Sequence, residues 1–173
     1  MKTPLVLLLL LLTFAVFADD PKESPQNVAS MSAGIEHFQT KQFEKAEAAF
    51  RDILKNQPTV PMGGKASFNL GLTLKAEKKF PEAIQVFEGI LTSAVDDREP
   101  GEGLMEEFMN YRHRACLQIS MCQYALGDFA KALSYVELAR DKHTYAAHCA
   151  TCAKGAQAEI EGRLAALNKR LNK

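Results

Sequence analysis

The feature that most constrains the fold is a pair of apolar runs in residues 70–91, which read LGLTLKAEKKFPEAIQVFEGIL. Apolar and small residues recur in both runs at spacings of three and four, which is the period of one helix face. They are Leu70, Gly71 and Leu74 in the first run, and Phe80, Ala83, Phe87, Ile90 and Leu91 in the second. The polar residues Glu77, Lys78 and Lys79 separate the runs. The stretch therefore predicts a helical hairpin in which each helix buries one face.

Two further copies of this pattern flank the central hairpin. The earlier copy contains Phe43, Ala46, Phe50, Ile53 and Leu54, and its Phe43 precedes Phe80 by 37 residues. The later copy contains Ile119, Tyr124, Gly127, Phe129, Ala132, Val136 and Ala139, and its Ala132 follows Ala83 by 49 residues. Internal repeats of this kind predict stacked hairpins, because each hairpin covers the apolar face of its neighbour.

The motif of residues 70–91, Leu-Gly followed by a large residue and then by Ala-x3-Phe, resembles the tetratricopeptide repeat (TPR) pattern. The resemblance implies an all-α fold, a right-handed superhelix of antiparallel helix hairpins with a C-terminal capping helix. We expect repeats at about residues 28–60, 64–95 and 104–144, and the capping helix at 145–172. The usual period is about 34 residues. The excess between the first two hairpins is assigned to Pro58, Pro61 and Gly63-Gly64, which end a helix and permit a tight return.

The longer spacing before the third repeat falls on residues 92–107. Charged residues, Pro100 and two glycines predict a polar loop in the front half. The apolar residues that follow predict extra turns at the start of the next helix, and they are Leu104, Met105, Phe108, Met109 and Tyr111. This segment is either a tolerated surface insertion or a partner-facing element that exposes Met105, Phe108 and Met109.

Residues 1–18 predict a secretory signal peptide. Lys2 is followed by an apolar stretch at 5–17 and by Ala18, after which we expect cleavage. About 14 apolar residues are fewer than the roughly 20 that a membrane-spanning helix needs. We therefore expect a flexible linker at 19–27, a single domain at 28–173, and an exported protein, periplasmic or extracellular, that meets the membrane only during export.

Charge and motif content narrow the function. Lysine and arginine total 21, as do aspartate and glutamate, so the chain lacks the basic excess that is typical of nucleic-acid binding. No nucleophile elbow, phosphate loop or paired-carboxylate motif stands in a suitable context. We expect a binding protein that is not an enzyme and has no cofactor.

The TPR resemblance also implies a concave groove lined by the first helix of each hairpin. The corresponding residues are Met31, Ile35 and Phe38 in the first repeat, Lys65, Phe68, Leu72 and Lys75 in the second, and Arg114, Leu117, Met121 and Tyr124 in the third. TPR domains that hold a chaperone's C-terminal carboxylate present Lys and Asn where this chain has Met31 and Ile35. The apolar groove instead suits an amphipathic helix or extended peptide of a protein partner. It also suits the chain's own capping helix, or a second copy in a homo-oligomer.

Four cysteines, Cys116, Cys122, Cys149 and Cys152, are candidates for disulfide bonding, because an exported chain permits it and their number is even. Buried thiols, or a bridge from Cys116 to the pair at 149 and 152, are the favoured interpretation. One alternative is a redox CxxC motif, although no strand is predicted before it. Another is a metal site in which His143 and His148 join Cys149 and Cys152.

Overall fold

The computed structural model describes residues 22–100 and 108–172, and these residues form seven α-helices and no β-strand. The helices are α1 (Pro25–Gln39), α2 (Phe43–Lys55), α3 (Val60–Ala76), α4 (Phe80–Thr92), α5 (Tyr111–Ala125), α6 (Phe129–Asp141) and α7 (Ala150–Leu171). The signal peptide predicted at 1–18, and Leu104 and Met105, lie outside the described residues. Within them, no helix combines the length and the apolar character that crossing a membrane requires.

The helices form three hairpins, α1/α2, α3/α4 and α5/α6, followed by α7. Each helix packs against the next one along the chain. This includes α4 and α5, although a longer connection joins them. The first helices of the hairpins are neighbours too, since α3 contacts both α1 and α5. The structure thus confirms the predicted all-α superhelix of hairpins, with α1, α3 and α5 forming one row.

Side-chain oxygen atoms cap the N-termini of three helices, α1, α3 and α6. Ser24 Oγ accepts a hydrogen bond from the backbone N–H of Asn27 (3.1 Å), and Asp128 Oδ1 accepts one from that of Lys131 (3.0 Å). Thr59 Oγ1 lies 3.5 Å from the backbone nitrogen of Met62 at the start of α3. Such caps satisfy backbone donors that have no partner inside the helix.

The tightest packing within a hairpin joins a glycine of the first helix to a phenylalanine of the second. A Cβ placed on Gly71 would lie 2.6 Å from the Phe87 ring, and one placed on Gly34 would lie 2.6 Å from the Phe50 ring. Both rings are fully buried. In the third hairpin the same register places Ser120 and Val136 at these positions, so a larger first residue accompanies a smaller second one.

Each hairpin turn contains one residue with left-handed backbone geometry, two positions before the second helix. These residues are Lys41 (φ 60°), Lys78 (φ 63°) and Gly127 (φ 82°). The conformation costs a non-glycine residue roughly 1–2 kcal/mol. In each turn the backbone N–H of this residue donates to the carbonyl three residues earlier, and that of the next residue donates to the carbonyl five residues earlier (2.8–3.0 Å). The three turns therefore share the Schellman motif that ends many helices.

The N-terminal segment differs from the predicted linker at 19–27. Helix α1 begins at Pro25, and Asn27 is buried. The Glu23 carboxylate accepts hydrogen bonds from Asn27 Nδ2 (2.6 Å) and from the Thr59 backbone N–H (2.9 Å) and Oγ1 (2.6 Å). These bonds join the segment to the start of α3.

The predicted extension of the third repeat's first helix is wrong for residues 108–110, because α5 begins only at Tyr111. Asn110 has φ 49°, which is incompatible with a continuous helix. The backbone N–H groups of Met109 and Asn110 donate instead to the carbonyls of Glu99 (2.8 Å) and Asp97 (2.9 Å). Phe108 and Met109 are half-buried and are not freely exposed.

Helix α7 packs on α6, as expected of a capping helix, but it starts at Ala150 and not at 145. The segment before it is held in a loop because the backbone N–H and carbonyl of Ala146 bond to the Asn110 side chain. Ile160 and Leu167 are buried and Leu164 packs beside them. Leu171, near the end of the helix, is 43% exposed.

Substituting Gly71 by alanine tests the glycine–phenylalanine contact. The added methyl would overlap the Phe87 ring, so we expect a loss of about 1–3 kcal/mol in the free energy of unfolding, as for other overpacked cores. The control is Gly89→Ala, because a Cβ there meets no atom within 4 Å and alanine favours a helix. Chemical denaturation of both variants measures the difference. An unchanged midpoint for Gly71→Ala would contradict the packing described.

Candidate functional site

The row formed by α1, α3 and α5, here called the inner face, carries the residues that were predicted to line a groove. Met31, Ile35 and Lys65 border a cleft of about 370 Å³ between α1 and α3, together with Met62 and Met109. The structure therefore brings predicted residues from two repeats into one concave site.

A second cleft lies at the other end of the inner face, between α5 and α7. Met121 and Tyr124 line it opposite Arg163, Ala166 and Leu167, and its volume is about 260 Å³. Met121 is 42% and Tyr124 49% exposed, and at the first cleft Ile35 is 38% exposed. These three are the predicted groove residues that offer open apolar surface to a partner.

Other predicted groove residues are part of the core. Phe68 is only 4% exposed, its ring lies 5.6 Å from that of Phe87, and the Arg114 guanidinium covers it at 4.7 Å. Met31 and Leu117 are also buried. The expectation that Phe68 faces a partner is therefore wrong, since its edge-to-face contact with Phe87 places it between the helices of its own hairpin.

Leu72 and Phe38 occupy an intermediate position. Both are half-buried and pack against the core, and the Phe38 ring lies 5.6 Å from the Phe43 ring. Their side chains therefore lie at the base of the inner face and contribute little to its exposed surface.

Three basic residues, Lys65, Lys75 and Arg163, lie on or beside the inner face. Lys65 Nζ lies 3.6 Å from a Glu99 carboxylate oxygen, and Arg163 pairs with Glu159 at 2.8 Å. Lys75 Nζ donates to the Gln118 side chain. Burial lowers the pKa of Lys75, and the charge of Arg163 adds to this effect. These three side chains therefore already have partners within the chain.

The capping helix covers part of the third repeat's inner surface. Ile160 and Leu167 share a buried cluster with Leu117 of α5. Helix α7 therefore packs on the third hairpin, where a further repeat would otherwise pack. It does not fill the cleft at Met121 and Tyr124.

Two residues at the start of α5, Asn110 and His113, hold the loop that leads into α7, and sequence reasoning missed them. Asn110 is fully buried, and its side chain bonds to both backbone groups of Ala146 (2.7 and 3.1 Å). His113 Nδ1 lies 2.9 Å from the carbonyl oxygen of His143, and its ring lies 5.5 Å from that of Tyr145. An asparagine directly before a helical run is a helix-start signal, which would have placed the beginning of α5 correctly.

The structure agrees with one part of the favoured interpretation, the buried thiols, and differs from the other, the bridge from Cys116. Cys149 and Cys152 form a disulfide within one segment, whereas Cys116 and Cys122 are buried free thiols. The proposed bridge between Cys116 and the capping helix is therefore wrong. Cys116 lies in the cluster between α5, α6 and α7, where burial raises the pKa of its thiol to about 12.

The Cys149–Cys152 pair lies at the N-terminus of α7. Cys149 is the N-cap residue, and its Sγ accepts a hydrogen bond from the backbone N–H of Cys152 (3.0 Å). The ligand atoms of His148, Cys149 and Cys152 lie within 4.8 Å of one another. His143, which was considered as a fourth ligand, is not in this group, and its carbonyl faces His113.

Comparison with known proteins agrees with this architecture. A sequence model of the tetratricopeptide repeat family matches residues 31–98, which contain most of the first two hairpins. No curated protein sequence gives a significant match.

Among solved structures, the type III secretion chaperone SycD of Yersinia enterocolitica, in complex with a peptide of the translocator YopD, is similar with a TM-score of 0.62 and 18% identity. That alignment covers 85% of this chain and 95% of SycD. The TPR2B domain of yeast Sti1, in a pHsp70 complex, has a TM-score of 0.60 and 21% identity. That alignment covers 85% of this chain and 99% of the TPR2B chain. PcrH from Pseudomonas aeruginosa has a TM-score of 0.61 and 17% identity, and the alignment covers 86% of this chain and 96% of PcrH. At these identities the likeness establishes the fold.

The repeat match and these neighbours support a TPR protein.

Counting reactive thiols tests the cysteine assignment. In the native, non-reduced protein we expect alkylation at pH 9 to label neither Cys116 nor Cys122, because burial raises the pKa of both thiols and blocks access. In denaturant the same reagent should label two cysteines, and four after reduction, with mass spectrometry identifying each site. Labelling of Cys149 or Cys152 in the non-reduced denatured chain would contradict the observed pairing.

Proposed function

We propose that this protein is an exported scaffold that binds a protein or peptide segment along its inner face. The observation that carries the proposal is the exposure of Ile35, Met121 and Tyr124 at two clefts, one between α1 and α3 and one between α5 and α7. Large apolar side chains exposed in concave surfaces are typical anchors for peptide recognition.

The spacing of the clefts favours an elongated ligand. One cleft lies between α1 and α3 and the other between α5 and α7, so a ligand that fills both crosses the whole inner face. An amphipathic helix or an extended segment with two apolar anchors meets this requirement. Because Lys65, Lys75 and Arg163 already have partners in the chain, the ligand need not carry a matching carboxylate.

Two of the structural neighbours support a peptide ligand. SycD was solved with a translocator peptide, and the Sti1 TPR2B domain in a pHsp70 complex. Export to the periplasm or beyond is supported by the sequence of residues 1–18 alone. Self-association through the inner face is the second candidate, and it is favoured by the dimer described for SycD.

Peptide selection from a displayed library, followed by calorimetry on the enriched peptides, tests the proposal. We expect Met121→Glu and Ile35→Glu to weaken binding by about tenfold or more, because each removes an apolar anchor and buries a charge. Leu126→Glu is the matched control, since Leu126 is 50% exposed but lies in the turn after α5.

Equal affinity of the wild type and both inner-face variants would contradict the proposed site. If no peptide is enriched and light scattering shows a dimer that Met121→Glu dissociates, the inner face serves self-association instead. Circular dichroism of each variant confirms that the helices remain folded.

A further inference from the structure

The peptide-binding function does not use the cluster of His148, Cys149 and Cys152, which lies at the junction between the loop at 143–149 and α7. Imidazole nitrogen and cysteine sulfur are the ligands that zinc prefers. In the described residues, the ligand atoms of this cluster all fall within 4.8 Å of one another. His148 is exposed and the two cysteines are half-buried, so the cluster is open to solvent.

The distance between the histidine and the second cysteine suits a shared metal ion. Zn–S bonds of about 2.3 Å and Zn–N bonds of about 2.0–2.1 Å place N and S ligands of one tetrahedral ion about 3.5 Å apart. His148 Nε2 and Cys152 Sγ lie 3.5 Å apart. The Cys149 and Cys152 Cα atoms lie 5.2 Å apart, so the sulfur atoms remain neighbours when the disulfide is opened.

We propose that the reduced chain binds one zinc-type metal ion through His148 Nε2 and the thiolates of Cys149 and Cys152, and that the disulfide is the metal-free form. A dithiol reductant supplies two electrons and two protons, so that the S–S bond breaks to give two thiols while the reductant becomes a disulfide. Metal binding then displaces the two thiol protons to solvent.

The local structure favours the thiolate form that a metal requires. The Cys152 backbone N–H already points at Cys149 Sγ, and it can donate in the same way to a thiolate. The N-terminus of the 22-residue helix α7 adds a favourable dipole.

The loop that carries His148 is attached to α5, so the ligands do not have to be ordered entirely by the metal. Asn110 and His113 fix the backbone at Ala146 and His143, on the N-terminal side of His148. Three protein ligands leave a fourth coordination position for water or another donor. Cys152 also borders a cleft with Arg114 and Leu117, which places the site beside the inner face.

Titration of the full chain with Co²⁺, as a spectroscopic substitute for Zn²⁺, tests the proposal. After anaerobic reduction and removal of the reductant, we expect one Co²⁺ per chain, with thiolate-to-cobalt charge-transfer absorption and the visible bands of a tetrahedral site. The oxidised chain should show neither. Competition with a chromophoric chelator then gives the Zn²⁺ affinity.

Variants assign the ligands. Cys149→Ser/Cys152→Ser should abolish the charge-transfer band although it retains Cys116 and Cys122. His148→Ala should weaken Zn²⁺ binding by at least about tenfold, since changes at residues outside the ligand set already cost about 10–100-fold. His143→Ala is the matched control, because its contact with His113 uses the backbone carbonyl.

The proposal is overturned if the reduced chain binds no more metal than the oxidised chain, or if the absorption persists in the double serine variant. An equal loss of affinity in His143→Ala and His148→Ala would also overturn the assigned ligand set. Circular dichroism of the reduced chain verifies that α7 remains helical, so that a lack of binding counts against the site itself.

Discussion

The close contact of a small residue with a large aromatic ring is the interaction on which the array depends. Gly34 and Gly71 have no space for a Cβ because the Phe50 and Phe87 rings occupy it. Each contact brings the two helices of a hairpin together and buries a whole aromatic side chain, which contributes on the order of 1.5–3 kcal/mol. Since the first two hairpins share this core, the same contacts set the positions of α1 and α3, and hence the shape of the inner face between them.

The binding surface that we propose is the part of the inner face that this packing leaves uncovered. Phe68, on the first helix of the central hairpin, is needed by the core and is covered by Arg114. Ile35, Met121 and Tyr124 remain accessible at the two clefts, although the Tyr124 ring also packs on that of Phe129 within the third hairpin. A TPR position that commonly contacts a ligand can therefore be structural in one repeat and available in another, depending on the residues packed around it.

The sequence predicted the hairpins because their signals are local and periodic. Apolar spacing identified the buried faces of α2, α4 and α6, and the repeated Ala46, Ala83 and Ala132 fixed their common register. The predictions were wrong where long-range bonds override local pattern. Phe108 and Met109 looked helical, yet bonds to Asp97 and Glu99 hold residues 109 and 110 in a loop, and the Asn110 side chain delays the start of α7.

The sequence by itself determined that this chain is an all-α array of hairpins, and which helix faces form its core, because a period of three to four residues is a property of the chain alone. Only the tertiary structure decided which cysteines are bonded and which residues of the inner face are exposed. Spacing along the chain does not give the distance between side chains on different helices. Packing buries Cys116 between α5, α6 and α7, whereas the N-terminus of α7 brings Cys149 and Cys152 together beside His148.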